Sequence, residues 1–66
     1  MSITLKAARI NSGLTQAQAA EKLGISVTTL QKYETGVTFP NIKTVREIES
    51  LYNVEYNDIC FIFNKE

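Results

Sequence analysis

The stretch that decides the fold is Gln16-Ala17-Gln18-Ala19-Ala20-Glu21-Lys22-Leu23-Gly24-Ile25-Ser26-Val27-Thr28-Thr29-Leu30-Gln31-Lys32-Tyr33-Glu34. Two helix-forming segments flank Gly24-Ile25-Ser26. Thr15 and Gln18 form a T-x-x-Q capping box at the start of the first segment. Ala17, Ala19 and Ala20 are strong helix formers, and Gly24 permits a left-handed stop with no Cβ clash. Ser26 caps the second segment, which runs to about Thr35 and stops at Gly36. Ala20 is small where the two helices approach closely. Ala19, Leu23, Ile25, Leu30 and Tyr33 are apolar at the positions that lock them at a steep angle. A small residue, a glycine and five apolar positions in this order predict a helix-turn-helix.

At about 100° per residue, the later of these helices has two faces. Thr29, Tyr33, Ser26 and Leu30 share the core-facing side. Val27, Thr28, Gln31 and Lys32 share the other, within an arc of about 140°. That outer side carries hydrogen-bonding groups, a cation and a branched apolar residue. Major-groove base edges offer matching features: Gln suits adenine, Lys reaches guanine, and Val or the Thr methyl meets a thymine methyl. The bland reading is an ordinary solvated helix face.

Outward from this pair, a first helix is predicted from about Thr4 to Asn11, with Ser2 or Thr4 as N-cap and Gly13 at its stop. Asn41 caps a fourth helix, on which Ile42, Val45, Ile48 and Leu51 recur every third residue beside Tyr52, and Asn53 ends it. A short fifth helix is expected from Tyr56 to Phe61, although Cys60 to Phe63 is β-prone and reads alternatively as a strand. Period-2 alternation never lasts four residues, so strands are otherwise not predicted. The expectation is an all-α domain of five short helices over residues 1–66.

Composition narrows the function. Sixty-six residues limit the chain to one small domain with no deep substrate pocket. The absence of His excludes Ser/His and Cys/His catalytic pairs and His-ligated metals, and one Cys excludes an intrachain disulfide and a Cys-based zinc site. No phosphate-cradling glycine loop is present. An enzyme is therefore not expected, and neither a cofactor nor a metal. No apolar run approaches the roughly 20 residues needed to span a bilayer, and no signal peptide is read. A reduced cytoplasmic protein is the expectation.

Residues Leu5 to Ile59 resemble the DNA-binding domain of the phage-repressor (Cro/C1, Xre-type) family. The matching stretches are Ala8-Arg9, Gly13-Leu14-Thr15-Gln16, Ala20-Glu21-Lys22-Leu23-Gly24-Ile25-Ser26, Thr29-Leu30, Tyr33-Glu34-Thr35-Gly36, Pro40 and Leu51-Tyr52-Asn53-Val54. The resemblance implies a five-helix lambda-repressor-like fold with its third helix in the major groove. It implies that Ser26, Val27, Thr28, Gln31 and Lys32 face the bases. Thr15, Gln16, Thr29, Thr35 and Lys43 are the corresponding candidates for the DNA backbone. It also implies that Arg9 and Glu34 pair between helices one and three as a structural link. Relatives commonly carry Lys or Arg in the loop matching Val37-Thr38-Phe39, where this chain has none; phosphate contact then passes to Lys43 and backbone N–H groups. Ala8 stands where a larger apolar residue is common, a volume for Tyr56 or Phe61 to fill.

Five consecutive apolar residues, Ile59 to Phe63, cannot all face inward in so small a domain, which points to a second copy. Tyr56, Ile59, Phe61 and Phe63 are the candidate dimer contacts. The expected function is a Cro-like repressor acting as a homodimer on a palindromic double-stranded operator. The alternative is a protein-interaction module of the same fold, an antitoxin-like or anti-repressor subunit. Residue 66 follows the fifth-helix region with no linker, which fits a stand-alone regulator and equally the first part of a longer one.

Zero net charge and a pI of about 6.2 argue at first against DNA. The average conceals a polarised chain. Residues 1–46 hold Lys6, Arg9, Lys22, Lys32, Lys43 and Arg46 against Glu21 and Glu34, leaving +4. Residues 47–66 hold Lys65 against Glu47, Glu49, Glu55, Asp58 and Glu66, leaving −4. The basic part contains the helix-turn-helix. Such a distribution orients the protein on approach and limits indiscriminate binding.

Overall fold

Every helix start predicted from a polar cap forms with that cap. The computed structural model describes residues 2–62. Thr4 accepts from Ala7 N at 3.1 Å and opens α1 (Leu5–Asn11). The Thr15/Gln18 capping box opens α2 (Gln16–Leu23), with both reciprocal bonds made. Ser26 opens α3 (Val27–Thr35), and Asn41 opens α4 (Ile42–Tyr52) through a 2.8 Å bond from Thr44 N. Each such cap satisfies an N–H that the helix itself leaves unpaired, worth about 1 kcal/mol.

The stops behave the same way. Gly24 and Gly36 end α2 and α3 in the left-handed region, at φ 72° and 83°. Asn53, at φ 55°, does the same for α4, a conformation Asn tolerates better than most residues with a Cβ.

The C-terminal region departs from the expected fifth helix and, at Cys60, takes the extended alternative. No fifth α-helix forms among the described residues. Tyr56–Asp58 winds as a single 3-10 turn, and Ile59–Cys60 continues extended as a strand, β2. It pairs in parallel with β1 (Ile3–Thr4), matching Ile3 with Ile59 and Thr4 with Cys60. Glu55, ahead of the turn, makes no side-chain cap bond. A six-residue helix cannot offset its nucleation cost without such help. The β-branched Ile59 favours the extended state, and Ile3–Thr4 supplies its partner strand.

The core lies between these elements. Leu5, Ala8, Ala19, Ala20, Leu23, Leu30, Ile48, Tyr52 and Ile59 form one buried cluster, with Leu14, Ile25, Tyr33, Leu51 and Phe61 packed on its margin. Ala20 is 2% exposed, as a close α2–α3 approach requires. Three expectations are corrected here. Ile42 does not join the apolar stripe of α4; it is 75% exposed, and the buried face begins at Thr44 and Val45. Ile59 does not await a second copy, because it is buried in the chain's own core. Tyr56 is exposed and stands outside the core cluster, so it does not take up volume near Ala8, whereas Phe61 packs against that cluster.

Candidate nucleic-acid interface

Helix α3 is built with two unlike sides. Leu30 is fully buried and Glu34 nearly so, which fixes the inner side against the other helices. Val27, Thr28, Gln31 and Lys32 are all exposed on the outer side. Four of the five predicted base-reading residues therefore share one open face; the fifth, Ser26, is the N-cap ahead of it. Lys43, near the start of α4, is exposed as well.

Behind this face sits a buried ion pair. Arg9 Nε donates to Glu34 Oε2 at 2.7 Å, and Arg9 Nη2 reaches Glu34 Oε1 at 3.4 Å. Arg9 Nη1 donates to the Leu14 carbonyl at 2.9 Å. The pair joins α1 to α3, and the third bond ties it to the segment leading into α2. Removing one partner would leave the other charged and buried, which costs far more than the intact pair contributes. Tyr52 lies in the same polar centre. Its phenol is pushed up to about 12, mainly by burial, then by the negative charge of Glu34, with Arg9 opposing. Its hydroxyl is buried without a hydrogen-bond partner among the described residues.

The remaining candidates differ in what their side chains already do. Ser26 Oγ accepts from Thr29 N and donates to Thr29 Oγ1 at 2.9 Å, so Ser26 and Thr29 are engaged with each other at the helix start. Thr15 is held in its capping box. Thr35 Oγ1 donates to the Gln31 carbonyl at 2.9 Å. In the loop after α3, the Val37 and Thr38 N–H groups both donate back to the Lys32 carbonyl. Those two amides are therefore not open to a phosphate in this conformation.

Gln16 holds a position that reading by spacing did not foresee. Its Nε2 donates to Glu34 Oε1 at 3.1 Å, and its Oε1 accepts from Gln31 Nε2 at 3.2 Å. It thus links the buried acid to the outer face. No local pattern signals a side-chain bond between residues so far apart in sequence.

The tail presents a second surface. Phe39 and Phe61 stack with ring centroids 4.5 Å apart, and Tyr56 meets Phe61 at 5.6 Å. Phe39, Pro40, Ile42, Val45, Arg46, Glu49 and Tyr56 line an open groove of about 530 Å³. Phe63, the last candidate dimer contact, lies outside the described residues.

Comparison with known proteins agrees with this geometry. Residues 5–59 match the helix-turn-helix family. The chain is 44% identical over 50 residues to the HTH-type transcriptional regulator ImmR of Bacillus subtilis, covering 76% of this chain and 39% of that protein. It is 35% identical over 46 residues to the cryptic phage CTXphi transcriptional repressor RstR of Vibrio cholerae, covering 70% and 41%. It is 33% identical over 55 residues to the HTH-type transcriptional activator BcrR of Enterococcus faecalis, covering 83% and 27%. The chain thus spans well under half the length of each. By fold, by the two-faced α3 and by these matches, the chain belongs to the Cro/C1-type (Xre) helix-turn-helix family, whose members are DNA-binding regulators rather than enzymes.

Proposed function

We propose that this chain is a cytoplasmic, sequence-specific transcriptional regulator that represses by occupying a palindromic operator as a homodimer. The observation that carries this reading is the outer face of α3, where Val27, Thr28, Gln31 and Lys32 stand exposed together on a helix anchored from behind. Thr28, Gln31 and Lys32 read base edges, and Val27 meets a thymine methyl. Gln16 and Lys43 contact phosphates and set the register, with Thr15, Thr29 and Thr35 lining the same approach through their hydroxyls.

The second copy docks on the groove around Phe39, Ile42 and Tyr56. Exposed apolar clusters of this kind mark interfaces. Arg46 and Glu49 border the same groove, so a twofold arrangement brings an acid and a base from each copy to the other, as an isologous contact requires. Two half-sites then fall about one helical turn apart, roughly 34–36 Å.

Binding to duplex DNA across a salt series tests the reading. A DNA reader shows log K falling linearly with log salt, with a slope set by the phosphates neutralised. A protein-interaction module shows no such dependence, and a flat or absent response would favour that alternative. Sedimentation of the free protein tests the dimer separately.

A further inference from the structure

We propose that the buried Arg9–Glu34 pair acts through Gln16 to fix which way the Gln31 amide faces, so that base choice at Gln31 is set from inside the core. The inference rests on the DNA-binding reading above and adds positioning residues to it. Its starting point is the unbroken chain of bonds from Arg9 Nε to Glu34, from Gln16 Nε2 to Glu34 Oε1, and from Gln31 Nε2 to Gln16 Oε1.

The direction of every bond in that chain follows from one fact. An ionised carboxylate only accepts hydrogen bonds, whereas a glutamine amide has a donor end and an acceptor end. Arg9 offers Glu34 only donors, so both carboxylate oxygens accept, Oε2 from Arg9 Nε and Oε1 from Arg9 Nη2. Gln16 must then turn its NH₂ toward Glu34. Its carbonyl oxygen is left facing Gln31, and Gln31 must offer its own NH₂ to that oxygen. Gln31 keeps its carbonyl oxygen and one N–H for the outside. Adenine asks for that combination, an acceptor for its N6–H and a donor for its N7. A freely rotating Gln31 would present either end.

The arrangement also accounts for a pair of charges in the core of a very small domain. Buried ion pairs are weak stabilisers beside well-packed apolar residues. Here one oxygen of the acid is aimed at Gln16 rather than reserved for Arg9, since Glu34 Oε1 lies 3.1 Å from Gln16 Nε2 and 3.4 Å from Arg9 Nη2. Gln16 still has a second N–H for a phosphate.

The test compares wild type, Gln31→Ala, Gln16→Met and the double variant, each as the full chain, against operators carrying every single-base substitution. The operator is first obtained by selection with wild type. Gln31→Ala is expected to erase discrimination of about tenfold at one base pair of each half-site. Gln16→Met is expected to bring discrimination at that same pair to within about twofold, whatever it does to overall affinity, and to leave the other pairs alone. The double variant adds no further loss there. If Gln16→Met weakens all operators in proportion and spares that pair, Gln16 is a phosphate contact only and the proposal is overturned. It is overturned equally if Gln31→Ala alters no pair. If wild type selects no motif, the DNA-binding reading itself fails, and this inference with it. A measurement without variants guards against misfolding. In the free protein, the Gln16 and Gln31 side-chain amides should show order parameters close to rigid backbone, about 0.85, and values below about 0.6 at Gln31 would contradict the relay.

Discussion

The two sides of α3 differ in what holds them. Leu30 and Glu34 on the inner side are packed, and Glu34 is bonded to partners from α1 and α2. Val27, Thr28 and Lys32 on the outer side are held in place by the helix that carries them. One nine-residue helix therefore carries two separable duties. Its inner side decides whether the domain folds, and its outer side decides what the domain binds. Gln31 and Gln16 stand where the two meet. Substitutions on either side should separate cleanly into stability effects and binding effects, and the following predictions are ways to break that separation.

The largest effect is expected from Arg9→Met. It strands the Glu34 carboxylate and should cost about 3–5 kcal/mol, enough to unfold most of a domain this small at 37 °C. Arg9→Met combined with Glu34→Met should recover most of the loss. Urea unfolding of the single and double variants checks both, and a double variant no better than the single would refute the ion-pair account.

Next is Ile59→Ala. Because Ile59 is buried beside Ile3 rather than held for a second copy, this change should cost about 2–3 kcal/mol of unfolding free energy. Unchanged unfolding with an altered sedimentation profile would restore the dimer role expected from sequence.

Thr28→Ala and Lys32→Ala come third. Each should weaken operator binding by about 1–3 kcal/mol and relax base preference, while the melting temperature stays put. Lys43→Ala should weaken all sequences alike and reduce the salt slope by about 1. A melting-temperature drop in Thr28→Ala would show that the outer side also supports the fold.

The smallest concerns Tyr52. An unfolded tyrosine ionises near 10, but in the folded chain this phenol keeps its proton to about 12. Between those values the unfolded state sheds a proton that the folded state retains, so stability is whole below pH 10 and declines as pH rises toward 12. Tyr52→Phe should flatten that part of the stability curve. At pH 7 it should shift unfolding by no more than about 0.5 kcal/mol, since the buried hydroxyl has no partner to lose among the described residues. A thermal pH series on both proteins checks it.

Much of the fold is written locally and could be read locally. Thr15 with Gln18, Ser26 before Val27, and Gly24, Gly36 and Asn53 at the stops act within a few residues, so the chain order alone displays them. The outer face of α3 follows from helical geometry once those ends are known. What escaped depends on distant partners. A two-residue strand shows no alternation, so the pairing of Ile3 with Ile59 leaves no trace in the pattern. Ile42 keeps the three-residue spacing of the α4 stripe, yet it sits in the first turn, beyond the neighbours that bury Val45 and Ile48. The Gln16 bond to Glu34 depends on how α2 crosses α3. The Arg9–Glu34 pair spans still more of the chain and is legible only through the family resemblance.

Selection of binding sites from a random duplex library tests the central claim most directly. Wild type should enrich a single motif whose two inverted halves lie one helical turn apart, and Lys32→Ala should relax that motif at defined positions without changing the protein's stability. A library returned without enrichment, or a motif indifferent to Thr28, Gln31 and Lys32 alike, would contradict a DNA-reading role for the outer face of α3.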